Sequence, residues 1–101
     1  MDYLSDKIGA LSTVAHDGRI EAFTPGVHAT RPQWGQAKTA QRVLEGLNPC
    51  ATMQQEKRHV EDPYSFRCMP QVHGASKNAL RHALEVVDIE CNAATDNPVV
   101  L

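Results

Sequence analysis

Cysteine is scarce in this sequence, and the few cysteines do not form pairs. They are Cys50, Cys68 and Cys91, an odd number without a Cys-x-x-Cys motif, which argues against a disulfide framework and a cysteine-based metal or redox site. Long apolar runs are also missing, so nothing predicts a membrane span. The segment from Met1 to Asp6 lacks the basic and apolar regions of a signal peptide. We therefore expect reduced thiols and a cytoplasmic location.

Positive charge is not in excess either. Ten basic residues are scattered among 12 acidic ones, which gives a formal net charge of -2, and no basic stripe exists that could follow a phosphate backbone. This composition disfavours nucleic acid and anionic membranes as partners. The histidines also lack the spacing of metal ligands, so the sequence predicts no metal site. They are His16, His28, His59, His73 and His82.

Strand-like alternation and internal repeats are absent, whereas helical periodicity is present in three segments. Apolar residues recur at helical intervals in about residues 3–15, 33–47 and 70–94. The last segment has the strongest pattern, and its wide apolar face is typical of a helix that is surrounded by other helices. The predicted fold is mainly α, a fragment of a helical bundle with three principal helices and irregular connections.

The connections between these helices are rich in proline or lack an apolar period. Residues 19–33 contain Pro25-Gly26 and Pro32, which predict an irregular segment. Residues 48–61 show no sustained periodicity and are predicted to form a mobile loop. We treat residues 1–101 as one helical segment with a modest core, whose helices should expose apolar faces. Self-association, as a homo-oligomer, is the expected consequence.

The densest group of polar side chains lies in residues 61–71, where two prolines restrict the backbone. Arg67 could bind a substrate carboxylate through two parallel hydrogen bonds, and Tyr64 could transfer a proton or orient an amine. An ordinary loop explains the same residues, with Arg67 paired to Glu61 or Asp62 and the Tyr64 ring packed. The residue types alone do not decide between these two interpretations.

Residues 62–72, Asp-Pro-Tyr-Ser-Phe-Arg-Cys-Met-Pro-Gln-Val, resemble the Asp-Pro-Tyr-Ser-x-Arg-Cys-x-Pro-Gln-Val signature of bacterial histidine ammonia-lyases. Residues 89–98 are similar to the Glu-x-Asn-x-x-x-Asp-Asn-Pro run of the same family. Residues 28–36 are similar to its His-x-x-Arg-Pro-His-Pro-Gly-Gln stretch. The resemblance to the aromatic amino acid ammonia-lyases therefore covers nearly the whole chain, as an internal fragment of such an enzyme.

The resemblance implies elimination of ammonia from an aromatic amino acid, in this case histidine to urocanate. The family uses a 4-methylidene-imidazol-5-one electrophile, which forms by cyclisation of an Ala-Ser-Gly tripeptide. These 101 residues do not contain that tripeptide. Gly74-Ala75-Ser76 is followed by Lys77, and its position predicts ordinary helix. No cofactor is therefore expected within this chain, and we expect no catalysis by the chain alone.

The resemblance also assigns roles to three residues. It implies that Arg67 binds the substrate carboxylate and that the catalytic Tyr64 lies near the electrophile, both in the active site of a neighbouring subunit. Glu61 occupies the adjoining substrate-binding position, where histidine-specific members commonly have Gln and tyrosine aminomutases have a carboxylate. An aminomutase-type relative is therefore an alternative. Another is a helical oligomerisation module without catalysis. A complementary lyase polypeptide is the expected partner if an amino acid is to bind.

Overall fold

The computed structural model describes residues 1–99 and residue 101, and within these residues it contains helices and no strand. The prediction of a mainly α fold with three principal helices is confirmed. No helix in the described part of the chain combines the length and apolar character needed to cross a membrane. The helices are α1 (Asp2–Ala15), α2 (Pro25–Ala29), α3 (Trp34–Leu47), α4 (Tyr64–Arg67) and α5 (Met69–Asn92), with 3-10 turns at Glu21–Phe23 and Ala51–Gln54.

Residues 19–33 are more regular than the sequence predicts. Pro25 begins α2 because its fixed φ suits the first turn of a helix, where its missing N–H would have no partner. Phe23 and His28 from this segment are buried, and the His28 ring nitrogen Nε2 lies 2.8 Å from the Ala22 carbonyl oxygen. In residues 48–61 the Met53 side chain is buried, while the mobility of this loop stays a prediction.

The apolar core is small and lies between α1, α3 and the beginning of α5. The predicted apolar face of α3 is largely confirmed, since Ala40, Val43 and Leu47 are buried, although Ala37 is exposed. Met69, the first residue of α5, is also part of this core. The buried apolar cluster comprises Ala10, Phe23, Val43, Leu47, Met53 and Met69.

The helices α3 and α5 approach each other most closely at two glycines, Gly35 and Gly74. A Cβ atom on Gly35 would meet the Gly74 carbonyl group, and a Cβ atom on Gly74 would lie 2.6 Å from Gln36 Cα. The Gly35 backbone N–H donates a hydrogen bond of 3.0 Å to Asn78 Oδ1 on α5. The absence of side chains at both positions therefore permits this contact.

A buried carboxylate connects three helices. Asp6 on α1 is fully buried, and the Lys77 ammonium of α5 lies 2.8 Å from it. His73 Nδ1, also on α5, lies 3.0 Å from the same carboxylate, and Arg42 Nη1 of α3 lies 3.3 Å away. Arg42 also donates to Asp2, and this hydrogen bond lowers the pKa of the Asp2 carboxyl. Several partners thus compensate for the loss of hydration at Asp6.

The molecule is elongated because α5 extends beyond the rest of the described fold, and its residues 79–92 are all exposed. Its radius of gyration is 18.5 Å and its extents are 68 × 25 × 21 Å, whereas a compact domain of this length has a radius of about 13 Å. Leu80, Leu84 and Ile89 are 53%, 69% and 67% exposed. Leu4 and Leu11 on α1 also face outwards. The prediction that the helices expose apolar faces is confirmed.

Replacing Gly35 by Ala should destabilise the fold by about 1–3 kcal/mol, because the added methyl group forces α3 away from α5. Gly26→Ala is the matched control, since a Cβ atom there meets nothing within 4 Å. We expect the control to be neutral or to stabilise by up to about 1 kcal/mol. Urea denaturation measures both variants, and equal stabilities would contradict the close contact between the two helices.

Replacing Lys77 by Met should lower the free energy of unfolding by about 3 kcal/mol, because the buried Asp6 carboxylate loses its ammonium partner. Lys and Met have similar helix propensities, so the change tests the ion pair and not the helix. The control is Glu85→Gln, which breaks the exposed Arg81–Glu85 pair and should cost less than about 0.5 kcal/mol. A Lys77→Met variant as stable as the parent chain would contradict a stabilising role of the Lys77–Asp6 ion pair.

Candidate functional site

The residues that the sequence singles out lie on and beside the single turn of helix α4. Pro63 precedes this turn, and its carbonyl oxygen accepts hydrogen bonds from the backbone N–H groups of Phe66 at 3.0 Å and Arg67 at 3.1 Å. Residues three apart share one face of a helix, so Tyr64 and Arg67 are neighbours. The Arg67 guanidinium carbon lies 4.4 Å from the centre of the Tyr64 ring. The loop predicted here is therefore partly helical.

Glu61 completes the group of three predicted site residues. Its Oε2 atom lies 3.1 Å from Arg67 Nη1, which is the ion pair that the ordinary loop interpretation predicts. Arg67 Nε is buried and has no hydrogen-bond partner in the described part of the chain. Tyr64, by contrast, is 70% exposed. The structure thus brings Glu61, Tyr64 and Arg67 together, and their substrate roles stay predictions.

Asp62 holds the segment before α4 in position. It is 4% exposed, and its Oδ2 atom accepts a hydrogen bond of 2.6 Å from the Arg19 backbone N–H. Its Oδ1 atom lies 2.6 Å from His59 Nε2, and Arg19 Nη1 donates to the His59 carbonyl oxygen at 3.0 Å. Asp62 therefore links residues 59–62 by hydrogen bonds to Arg19, in the segment that follows α1.

A second set of contacts joins the end of α1 to the same region. The His16 ring stacks on the Phe66 ring, with centroids 4.3 Å apart and planes 7° from parallel. Asp17 has a φ of 57°, a left-handed conformation that Asp adopts more readily than most residues. Lys57 Nζ donates to Asp17 Oδ1 at 2.6 Å, and this hydrogen bond lowers the pKa of the Asp17 carboxyl. These contacts orient α4 relative to α1.

Sequence reasoning missed the supporting residues of this site. Asp62 belongs to the recognised motif and precedes proline, where Asp commonly bonds to backbone groups, and that was the available signal. Arg19 carried no comparable signal, because its partners Asp62 and His59 lie 43 and 40 residues away. His16 stacks on Phe66, which is also distant in sequence, and nothing in the sequence marks the pair of His59 and Asp62. The cleft beside Arg67 has a volume of about 170 Å³ and is lined in part by Arg19, Glu61 and Asp62.

The Gly74-Ala75-Ser76-Lys77 stretch lies within α5, as the sequence predicts. Gly74 packs against Gly35 and Lys77 pairs with Asp6. Ser76 Oγ donates a hydrogen bond of 3.4 Å to the Val72 carbonyl oxygen, one helical turn back. These residues therefore have structural roles in the helix, and the stretch has none of the turn geometry that a cyclised tripeptide needs.

Comparison with known proteins gives a consistent result across nearly the whole chain. The family model of the aromatic amino acid lyases matches residues 2–101. Histidine ammonia-lyase from Streptococcus pyogenes serotype M5 is 45% identical over 100 residues, and that from Streptococcus sanguinis is 43% identical. The enzyme from Alkaliphilus metalliredigens is 46% identical over 99 residues.

The match covers most of this chain but a small part of each relative. Each alignment includes 96% of this chain and 19% of the relative's length. The chain therefore spans about a fifth of the length of the curated proteins it matches. No solved structure matches the chain.

Replacing Asp62 by Ala should destabilise the fold by about 1–3 kcal/mol, because the Arg19 amide and the His59 ring lose a buried acceptor. Glu61→Ala, one residue away, removes an exposed carboxylate and should cost less than about 1 kcal/mol. Denaturation measures the stabilities, and hydrogen exchange of the Arg19 amide should be faster only in Asp62→Ala. Unchanged exchange at Arg19 would contradict the role assigned to Asp62.

Proposed function

Because the chain belongs to the aromatic amino acid lyase family, we propose that it is the part of a histidine ammonia-lyase that supplies Tyr64 and Arg67 to the substrate pocket. The reaction is the elimination of ammonia from histidine to give urocanate. The observation that carries this proposal is the α4 turn, which presents a guanidinium and a phenol side by side. The other groups of the pocket come from polypeptide outside these 101 residues.

Arg67 binds the substrate carboxylate in this proposal. Its guanidinium offers parallel donors that match the two carboxylate oxygens, and the charge strengthens both hydrogen bonds. In the structure Glu61 Oε2 lies 3.1 Å from one of these donors, Arg67 Nη1. A substrate carboxylate therefore has to replace Glu61 or share the guanidinium with it. Because Glu61 is exposed, it can leave Arg67 at little cost in free energy.

Tyr64 acts at the amino end of the substrate. Its ring is fixed on one face by the Arg67 guanidinium, while 70% of the residue surface remains exposed. A phenol in this position can donate or accept a proton once a partner surface covers it and excludes water. That partner is a second copy or a complementary lyase polypeptide.

In this proposal the electrophile of the family is not formed from residues of this chain. Cyclisation needs a tripeptide in a tight turn, and Gly74-Ala75-Ser76 lies within α5 with its neighbours packed. No step of the reaction is therefore assigned to these residues. The chain alone is proposed to be inactive, and a polypeptide that carries the Ala-Ser-Gly tripeptide must complete the pocket.

Two alternatives have support of their own. The carboxylate of Glu61 next to Arg67 is the feature that resembles aminomutases, and it favours a relative that acts on tyrosine. The exposed apolar side chains of α5 favour a helical assembly module without turnover, with Leu80, Leu84 and Ile89 as its contact surface. A stable oligomer of the chain that binds no amino acid would support the assembly module.

A chimera tests the proposal. The 101 residues replace the matching segment of the Streptococcus pyogenes enzyme, and urocanate formation from L-histidine is followed by absorbance. We expect turnover by the chimera and none by the isolated chain. Arg67→Ala should reduce kcat/KM by about 100-fold, because two charge-assisted hydrogen bonds are lost. Arg67→Lys should restore only part of this loss.

Arg58→Ala is the matched control, since Arg58 is an exposed arginine in the loop before the motif, and kcat/KM should stay within about twofold. A folded, oligomeric chimera that does not turn over L-histidine would contradict the proposal. Conversion of L-tyrosine to β-tyrosine would favour the aminomutase. Full activity of the Arg67→Ala chimera would exclude Arg67 as the carboxylate ligand.

A further inference from the structure

Three side chains without an assigned catalytic role converge beside α4. His16 follows the last residue of α1, His59 lies in the loop after α3, and Asp62 precedes Pro63. One ligand-type atom from each, an imidazole nitrogen or a carboxylate oxygen, lies within 4.8 Å of the other two. The sequence predicts no metal site from these residues, because His16 is far along the chain from the other two.

The donor set is one that Zn²⁺ and similar divalent transition metals prefer. Two imidazoles and one carboxylate, with an open fourth position for water, form a common tetrahedral site. Metal–ligand bonds of about 2.0–2.1 Å place neighbouring ligand atoms about 3.3 Å apart. His59 Nε2 and Asp62 Oδ1 are 2.6 Å apart, and all three ligand atoms lie within 4.8 Å of one another. Each separation therefore has to change by no more than about 1.5 Å to reach the spacing of a tetrahedral site.

The surroundings fix the orientation of these ligands. Asp62 has one oxygen held by the Arg19 amide at 2.6 Å, which leaves the other directed at His59. The His59 backbone is held by the Arg19 guanidinium. The His16 ring is stacked on Phe66, so its plane is set by packing. Such hydrogen-bonded support of the ligands is what metal sites need in order to keep their geometry.

Exposure and charge set the expected affinity. Asp62 is buried, His59 is half-buried and His16 is exposed, so one side of the cluster is open to water and to an entering ion. The Arg19 guanidinium donates to the His59 carbonyl oxygen and is paired with Glu21, while the nearby Lys57 is paired with Asp17. A dication therefore gains one negative ligand and two imidazole ligands.

From this geometry we propose that His16, His59 and Asp62 form a binding site for a divalent transition metal of the Zn²⁺ class. The bound ion joins the end of α1 to residues 59–62 and so fixes the turn that carries Tyr64 and Arg67. Metal binding replaces the hydrogen bond between His59 Nε2 and Asp62 Oδ1, because the ligating imidazole nitrogen cannot carry a proton. The proposal does not depend on lyase activity.

Titration of the metal-free chain with Zn²⁺ and with Co²⁺ tests this site. We expect one ion per chain, the visible absorption of tetrahedral Co²⁺, and no thiolate-to-cobalt charge-transfer band, since no cysteine is a ligand. His16→Ala and His59→Ala should each weaken binding at least tenfold. His82→Ala is the matched control, because this exposed histidine of α5 lies outside the cluster, and its affinity should equal that of the parent chain.

Circular dichroism establishes that each variant is folded, and thermal unfolding gives a second measurement. Zn²⁺ should raise the Tm of the parent chain and of His82→Ala, because an ion that binds only the folded state stabilises it. It should raise the Tm of His16→Ala much less than that of the parent chain, because this variant lacks one of the three ligands. Absence of stoichiometric binding by the parent chain, or unchanged affinity in His16→Ala and His59→Ala, would overturn the proposal.

Discussion

The carboxylate of Asp6 lies where α1, α3 and α5 meet, and side chains from both other helices converge on it. Lys77 and His73 reach it from α5, and Arg42 reaches it from α3. Removing a carboxylate from water is costly, so this arrangement is stable only while its partners stay in place. The network therefore fixes the relative positions of the three long helices. The position of α4 depends on it in turn, because α4 immediately precedes α5.

The two halves of α5 have different environments. The first half packs on α3 through Gly74 and supplies Met69 to the core. The second half carries apolar side chains that are 45–69% exposed from Leu80 to Ile89, an arrangement that is typical of an interaction surface. The chain spans 19% of the length of its relatives, and an exposed face of this kind is expected where further helices of a bundle would pack.

The candidate site combines local and distant constraints. Tyr64 and Arg67 are brought together by one helical turn, which depends only on nearby backbone hydrogen bonds. The orientation of this turn depends on Asp62, on Arg19 and on the stacking of His16 with Phe66. The motif singles out both residues but predicts a loop around them, so the helical turn that joins them is seen only in the structure. The second feature could not be predicted, since it requires contacts between residues 43 positions apart, as for Arg19 and Asp62.

The sequence by itself determined the helices and the family, because apolar periodicity is a local property and the motif of residues 62–72 is contiguous. It did not indicate that residues 25–29 form a short helix, which follows from the packing of Phe23 and His28. Only the tertiary structure decided which residues meet across the fold. Asp6 and Lys77 are 71 positions apart, and Gly35 meets Gly74. Such contacts depend on how helices pack in space, and the identity of one residue does not specify its distant partner.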